Sequence, residues 1–155
     1  MRSVAKKLIE LPELNIALFS FLLHFVWEMW QAPFFADMAS TAHWSEVVAC
    51  SRATLGDAAM AVVAFWGGAL PRRSRYWFVA PRGWEVPIYL AIGLALTVVF
   101  EWLATGPLAR WSYSPEMPRL PIFGTGLLPA LQWVVVPPIA LWITGRQLRD
   151  QMPNP

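Results

Sequence analysis

The sequence predicts an all-α polytopic membrane protein. It reads as a single domain, residues 1–155, forming a four-transmembrane-helix bundle with a Pro-rich outer loop between helices 3 and 4. Three observations predict this. Hydrophobic residues make up 57% of the chain and charged residues 14%, against about 45–50% and about 25% in soluble domains. Four apolar stretches are each long enough to cross a bilayer, which takes about 20 residues. The basic residues sit in short clusters between those stretches, the pattern of membrane topology. The same figures exclude a disordered chain, whose mark is low hydrophobicity with high charge. A single cysteine excludes an intramolecular disulfide and any multi-cysteine metal site. The net charge of +2 does not indicate nucleic acid, because no basic stripe interleaved with exposed aromatics is present.

The first span is roughly Leu14 to Phe35, LNIALFSFLLHFVWEMWQAPFF. A basic start before an apolar run also fits a cleaved signal peptide. Against that, Glu10, Pro12, Glu13 and Asn15 interrupt its beginning, and His24 and Glu28 lie well inside it. The second span is roughly Thr54 to Leu70, with a helix start as early as Ser45; it is short and ends at Gly67 and Gly68. The third is roughly Val86 to Thr105 and the fourth roughly Thr125 to Thr144. Met1 to Leu11 alternates basic and apolar residues, and reads as an interfacial helix or as a frayed basic terminus.

Basic residues are retained in the cytoplasm during insertion. Arg2, Lys6, Lys7, Arg72, Arg73, Arg75, Arg82, Arg146 and Arg149 fall on one side, and Arg52, Arg110 and Arg119 on the other. This split predicts a bacterial inner-membrane protein with both termini cytoplasmic, and the even number of spans agrees.

The polar residues inside the spans are few. Each charge at mid-membrane costs about 2.5–3.5 kcal/mol, so Glu28, Asp57 and Glu101 ionised together would cost roughly 8–10 kcal/mol. They are expected to be protonated, paired, or lining a wet cavity. With the orientation above, Glu28, Gln31, Asp57, Glu101 and Gln132 all fall in the outer half of the membrane, with His24 near its middle. Nothing comparable is expected in the inner half. His24, Glu28 and Gln31 share one helical stripe, Cys50, Thr54 and Asp57 a second, and Thr97, Glu101 and Thr105 a third. The expectation is one polar chamber lined by His24, Glu28, Asp57, Glu101 and Gln132.

Each member has a plainer reading. Glu28 pairs with His24 one turn away; Asp57 snorkels or caps; Glu101 pairs with Arg110; Gln132 makes an ordinary interhelical hydrogen bond; His43 is solvated. Trp30, Trp44, Trp102 and Trp111 fall near the outer interface, and Trp77 and Trp84 near the inner, where aromatic belts anchor membrane proteins. Trp27 and Trp133 lie deeper and are expected to wall the chamber.

From Gly106 to Pro129 the chain reads GPLARWSYSPEMPRLPIFGTGLLP. Its prolines exclude a continuous helix, and its many apolar residues argue for a compact, partly re-entrant loop, acceptable at membrane depth only against protein or water. Pro137 and Pro138 are expected to break the fourth helix and free carbonyls near Trp133 and Val134, or to leave an ordinary kink. The stretch FEWLATGPLARWSYSPEMPRLP, Phe100 to Pro121, resembles the Glu-plus-aromatic arrangement of integral-membrane carotenoid cyclases and hydratases. That resemblance implies an isoprenoid-type substrate protonated by a Glu, here Glu101 or Glu28. The whole chain is similar to small four-helix membrane proteins of bacteria, a resemblance that implies no activity.

Three function classes fit these residues. In the first, the chamber binds a small lipophilic ligand, with Glu28 and Glu101 as an acid–base pair, His24 tuning Glu28, and Asp57, Gln132, Arg110, Trp27 and Trp133 as ligand-binding groups. In the second, the chain is an accessory subunit with a membrane-protein partner. In the third, the carboxylates relay ions or protons. Membrane lipid is the expected surrounding in all three. A b-type haem pair fits poorly, because it normally needs two intramembrane histidines per haem and His24 is the one that qualifies. No P-loop, dinucleotide fingerprint or nucleophile elbow occurs, so no cofactor is assigned. A mixed nitrogen and oxygen metal site of His24, Glu28, Asp57 and Glu101 remains compatible with the spacing.

Overall fold

The computed structural model describes residues 9–36, 38, 40–121 and 123–149. Arg2, Lys6 and Lys7, with most of the amphipathic Met1–Leu11 segment, lie outside the described residues. Among those described, the architecture is all-helical, with four long helices: α1 (Pro12–Gln31), α2 (His43–Ala69), α3 (Glu85–Thr105) and α4 (Leu127–Arg149). Single turns of 3-10 helix cover Ala32–Phe34 and Trp77–Val79. The helices α2, α3 and α4 are long and apolar enough to cross a membrane. Packing runs round a ring, α1 on α2, α2 on α3, α3 on α4 and α4 back on α1. Neighbours are therefore antiparallel, joined by the segments 32–42, 70–84 and 106–126.

The helix ends follow local chemistry. Pro12 opens α1, where a missing N–H costs nothing, and the Asn15 side chain donates to the carbonyls of Ile9 and Leu11 at 2.7 and 2.8 Å. Pro33 stops α1 before the apolar run ends. The helix α2 starts at His43, eleven residues ahead of the apolar span and two ahead of the expected helix start at Ser45, because its first turn, His43–Glu46, is largely polar. Pro137 and Pro138 do not break α4, which is continuous from Leu127 to Arg149. Two adjacent prolines remove two donors only, and the buried Pro137 ring is packed in the bundle, which supports the backbone from outside.

The core concentrates at the end of the bundle that carries segment 70–84. Phe65, Trp77, Phe78, Tyr89 and Leu148 are packed there together. Trp77 is fully buried and donates Nε1–H to the Phe65 carbonyl at 3.2 Å, so it is a core residue and not an interfacial anchor. Trp30, Trp44 and Trp102 are exposed. The same end also holds a buried carboxylate that the hydropathy reading passed over. Glu85, the first residue of α3, is 0% exposed, accepts from the Arg82 N–H at 2.6 Å and lies 3.5 Å from Arg72 Nη1. Its place at a helix N-terminus suits a negative charge. Glu13 at the start of α1 pairs with Arg75.

Two glycines let helices approach closely. A Cβ on Gly67 would meet Ile92 of α3 at 2.1 Å, and one on Gly93 would meet the Trp133 ring at 2.1 and 2.2 Å. Ile92 is flexible; the Trp133 indole is buried and packed against His24. Gly93→Ala is therefore expected to destabilise by about 1–3 kcal/mol through overpacking. A lowered unfolding midpoint in detergent is the readout, and an unchanged midpoint would show that Trp133 moves freely.

Candidate functional site

At the opposite end a cavity lies among the helices, with α2 and α3 supplying most of its wall. Ala49, Ala53, Gly56 and Ala59 on α2 are too small to fill it, and a Cβ built on Gly56 meets nothing within 4 Å. The cavity measures about 1030 Å³, at the upper end of the 300–1,000 Å³ typical of small-molecule sites. Its rim includes the exposed Gly56, Ala59 and Val63 of α2 and Phe100 of α3, so it opens on the side of the bundle. Its polar wall carries Glu28, Gln31, Asp57, Glu101, Arg110 and Gln132.

Gln132 of α4 is the centre of that wall. Its side chain is buried and its Nε2 donates toward three acceptors: His24 Nδ1 at 2.8 Å, Glu28 Oε1 at 3.1 Å and Asp57 Oδ2 at 3.4 Å. Its Oε1 accepts from Gln31 Nε2 at 3.3 Å, and Gln31 also donates to Glu28 at 2.8 Å. One carboxamide thus ties α1, α2 and α4 together. Two N–H groups cannot satisfy three acceptors fully, and the contact to Asp57 is the longest of the three. With Nδ1 accepting, the His24 ring hydrogen sits on Nε2, which is buried without a partner among the described residues.

Several expected pairings differ. His24 is 0% exposed and lies behind Gln132, outside the cavity lining. Its nearest carboxylate is Asp57, at 3.6 Å, and not Glu28. Spacing alone missed this because Glu28 is claimed by the two carboxamides. Glu101 does not pair with Arg110. It accepts from the Tyr113 hydroxyl and from Trp111 Nε1 at 3.5 Å. Trp27 does not wall the cavity: it lines an apolar groove between α1 and α4, and its Nε1 donates to Gln31 at 3.2 Å. Trp133 does line the cavity. Its Nε1 is buried beside Asp57 without a well-aligned acceptor among the described residues. Thr54, Thr97 and Thr105 donate to carbonyls one turn back in their own helices and add nothing to the cluster. His43 is 82% exposed and lies near Glu46.

Segment 106–126 closes over this end of the bundle. Its backbone bonds to the end of α1 through Ala36 N–H to Ser112 at 3.0 Å and Ser114 N–H to Phe34 at 2.9 Å. Tyr113 is the fixing point. It packs on Phe35, stacks under Arg119, accepts the Gly126 N–H at 3.0 Å and donates to Glu101. Burial, reinforced by the Glu101 carboxylate, pushes the Tyr113 phenol above its ordinary range, so it stays a donor.

Sequence reasoning missed Arg52 as a cavity-lining group and Tyr113 as the partner of Glu101. Arg52 shares a helical face with Gly56, Ala59 and Val63 at spacings of four, three and four, a signal that was present. The Tyr113 contact crosses an irregular segment and left no periodic trace. Among the described residues, no three His, Cys, Asp or Glu side chains stand close enough together to hold a metal ion. No protein-family model, curated protein or solved structure matches the chain. The likeness of Phe100–Pro121 to carotenoid cyclases and hydratases therefore gains no support from comparison.

Proposed function

We propose that this is a multi-pass protein of the bacterial inner membrane that binds a small lipophilic ligand from the bilayer and acts on it by acid–base chemistry. The observation that carries the reading is the side-opening cavity with a carboxyl–carboxamide wall. A closed, fully paired cluster would instead suit an accessory subunit. Glu28 is the proton donor and acceptor, and Asp57 is its neighbour on the same Gln132 amide. His24 acts as a positioning residue through Gln132. Glu101 faces the same cavity and holds segment 106–126 as an outer loop over it. Extraction of the protein purified with native lipid is expected to yield one lipophilic molecule near one per chain by mass spectrometry. Bulk membrane lipid alone would count against the reading.

The reading includes α1 as the fourth span. Leu14, Leu18, Leu22, Val26 and Trp30 are all exposed and lie four apart, a lipid-facing stripe along the whole helix. The nine-to-three split of basic residues then puts both termini and the Arg72–Arg82 segment in the cytoplasm. Cysteines placed at Arg73, at Pro115 and at the C-terminus test it in a Cys50→Ala background. A membrane-impermeant maleimide added to spheroplasts should label the second alone. Labelling at the C-terminus would overturn the topology.

A further inference from the structure

We infer that the cavity takes an anionic amphiphile, its carboxylate or phosphate headgroup held by Arg52 and Arg110 and its apolar tail lying between α2 and α3. The inference rests on the lipophilic-ligand reading and narrows it to a substrate class.

Arg52 comes from α2 and Arg110 from segment 106–126, and both line the one cavity. Neither guanidinium makes a hydrogen bond or ion pair among the described residues. Arg73, Arg82 and Arg149 are also without a side-chain partner among the described residues but lie outside the cavity, and the other arginines are engaged. Arg72 lies against Glu85 and Arg75 against Glu13, while Arg119 and Arg146 stack on Tyr113 and Trp142. The cavity's own carboxyls do not use the two free cations, because Glu101 is held by Tyr113 and Trp111, and Glu28 by Gln31 and Gln132. Two unneutralised guanidiniums in one cavity are a site for an anion that arrives with the ligand.

The rest of the lining has the length and polarity of an amphiphile. From Arg52 to Val63 on α2 is about 16 Å along the axis at about 1.5 Å per residue. Over that length the wall passes from Arg52 through Asp57 to Met60 and Val63, with Leu96 and Phe100 facing from α3. Charge at one end of the wall and hydrocarbon at the other match a headgroup near the membrane surface and a tail in the bilayer. Asp57, Glu28 and the unpartnered Trp133 Nε1 then lie beside the first part of the tail, where a reacting group next to the headgroup would sit.

The test uses the full chain in neutral detergent, with quenching of tryptophan fluorescence by brominated amphiphiles; Trp111 and Trp133 line the cavity. The probes are dibromostearic acid above its ionisation range, dibromostearyl alcohol with the same tail, and a dibrominated phosphatidic acid. The expected result is saturable quenching by one or both anions, with the alcohol at least about tenfold weaker, the scale of one charge-assisted hydrogen bond. The tighter anion tells a free carboxylate from a phosphate lipid headgroup. Arg52→Gln with Arg110→Gln should bring the anion to the level of the alcohol and leave the alcohol and the unfolding midpoint unchanged. Equal binding of acid, alcohol and phosphatidic acid by the native chain overturns the anionic assignment and leaves the lipophilic cavity standing. Saturation by none of the three overturns both.

Discussion

Gln132→Leu is expected to be the most destabilising single substitution in the polar wall, by about 3–5 kcal/mol. Leucine keeps most of the volume and removes every polar contact. The change strips a donor from His24, Glu28 and Asp57 and an acceptor from Gln31. Each buried group left unsatisfied costs about 1–3 kcal/mol, and stranding a buried charge costs more. Gln31 still donates to Glu28, which offsets part of the sum. The readout is the unfolding midpoint or the half-life at raised temperature in detergent. Gln132→Glu should fail as well, since it keeps the acceptor and loses the donor that three groups share. A near-native midpoint for Gln132→Leu would mean that the three helices are held by packing alone.

The second large effect concerns chemistry. Glu28→Gln and Asp57→Asn each remove a titrating proton and nearly preserve shape. The replacement at position 28 still offers an oxygen to Gln132. Turnover or ligand conversion should fall by about 10²–10⁴-fold, the usual worth of a positioned acid or base, while the unfolding midpoint stays within about 1 kcal/mol of native. Glu101→Gln should behave differently. It weakens the bond from Tyr113, so its main effect falls on the closure of segment 106–126 and on stability. Native turnover in Glu28→Gln with a lowered midpoint would assign the carboxyls to structural pairing and favour the accessory-subunit reading.

Much of this arrangement is written in residue spacing. The stripe His24, Glu28, Gln31 and the positions of Asp57 and Gln132 are enough to bring α1, α2 and α4 together around one cluster. Hydropathy marks the helix bodies, but it runs past Pro33, where the chain has already turned, and stops short of the polar first turn of α2. It also places the third span one residue after Glu85, and so passes over a carboxylate that is buried because Arg72 and a backbone N–H meet it there. Pro137 and Pro138 mislead in the other direction, since tertiary packing carries the helix through them. The partners of the site are less legible than its members. Spacing pairs His24 with Glu28 and Glu101 with Arg110; the folded chain gives His24 to Gln132 and Asp57, and Glu101 to Tyr113 and Trp111. Those choices depend on which helix lies opposite and on an irregular segment, neither of which has a period to read.

If the space between α2 and α3 is a ligand site, filling it should displace the ligand. Gly56→Trp projects an indole into space where a Cβ meets no atom within 4 Å. Replacing a mid-helix glycine also favours the helix by a few tenths of a kcal/mol or more, so the variant should fold at least as well as the native chain. Native mass spectrometry of both proteins, purified alike from native membranes, measures retained small molecule per chain. Near one lipophilic molecule is expected on the native protein and close to none on Gly56→Trp, at an equal or higher unfolding midpoint. Equal occupancy of the two proteins, or an empty native chain, would contradict a ligand site there.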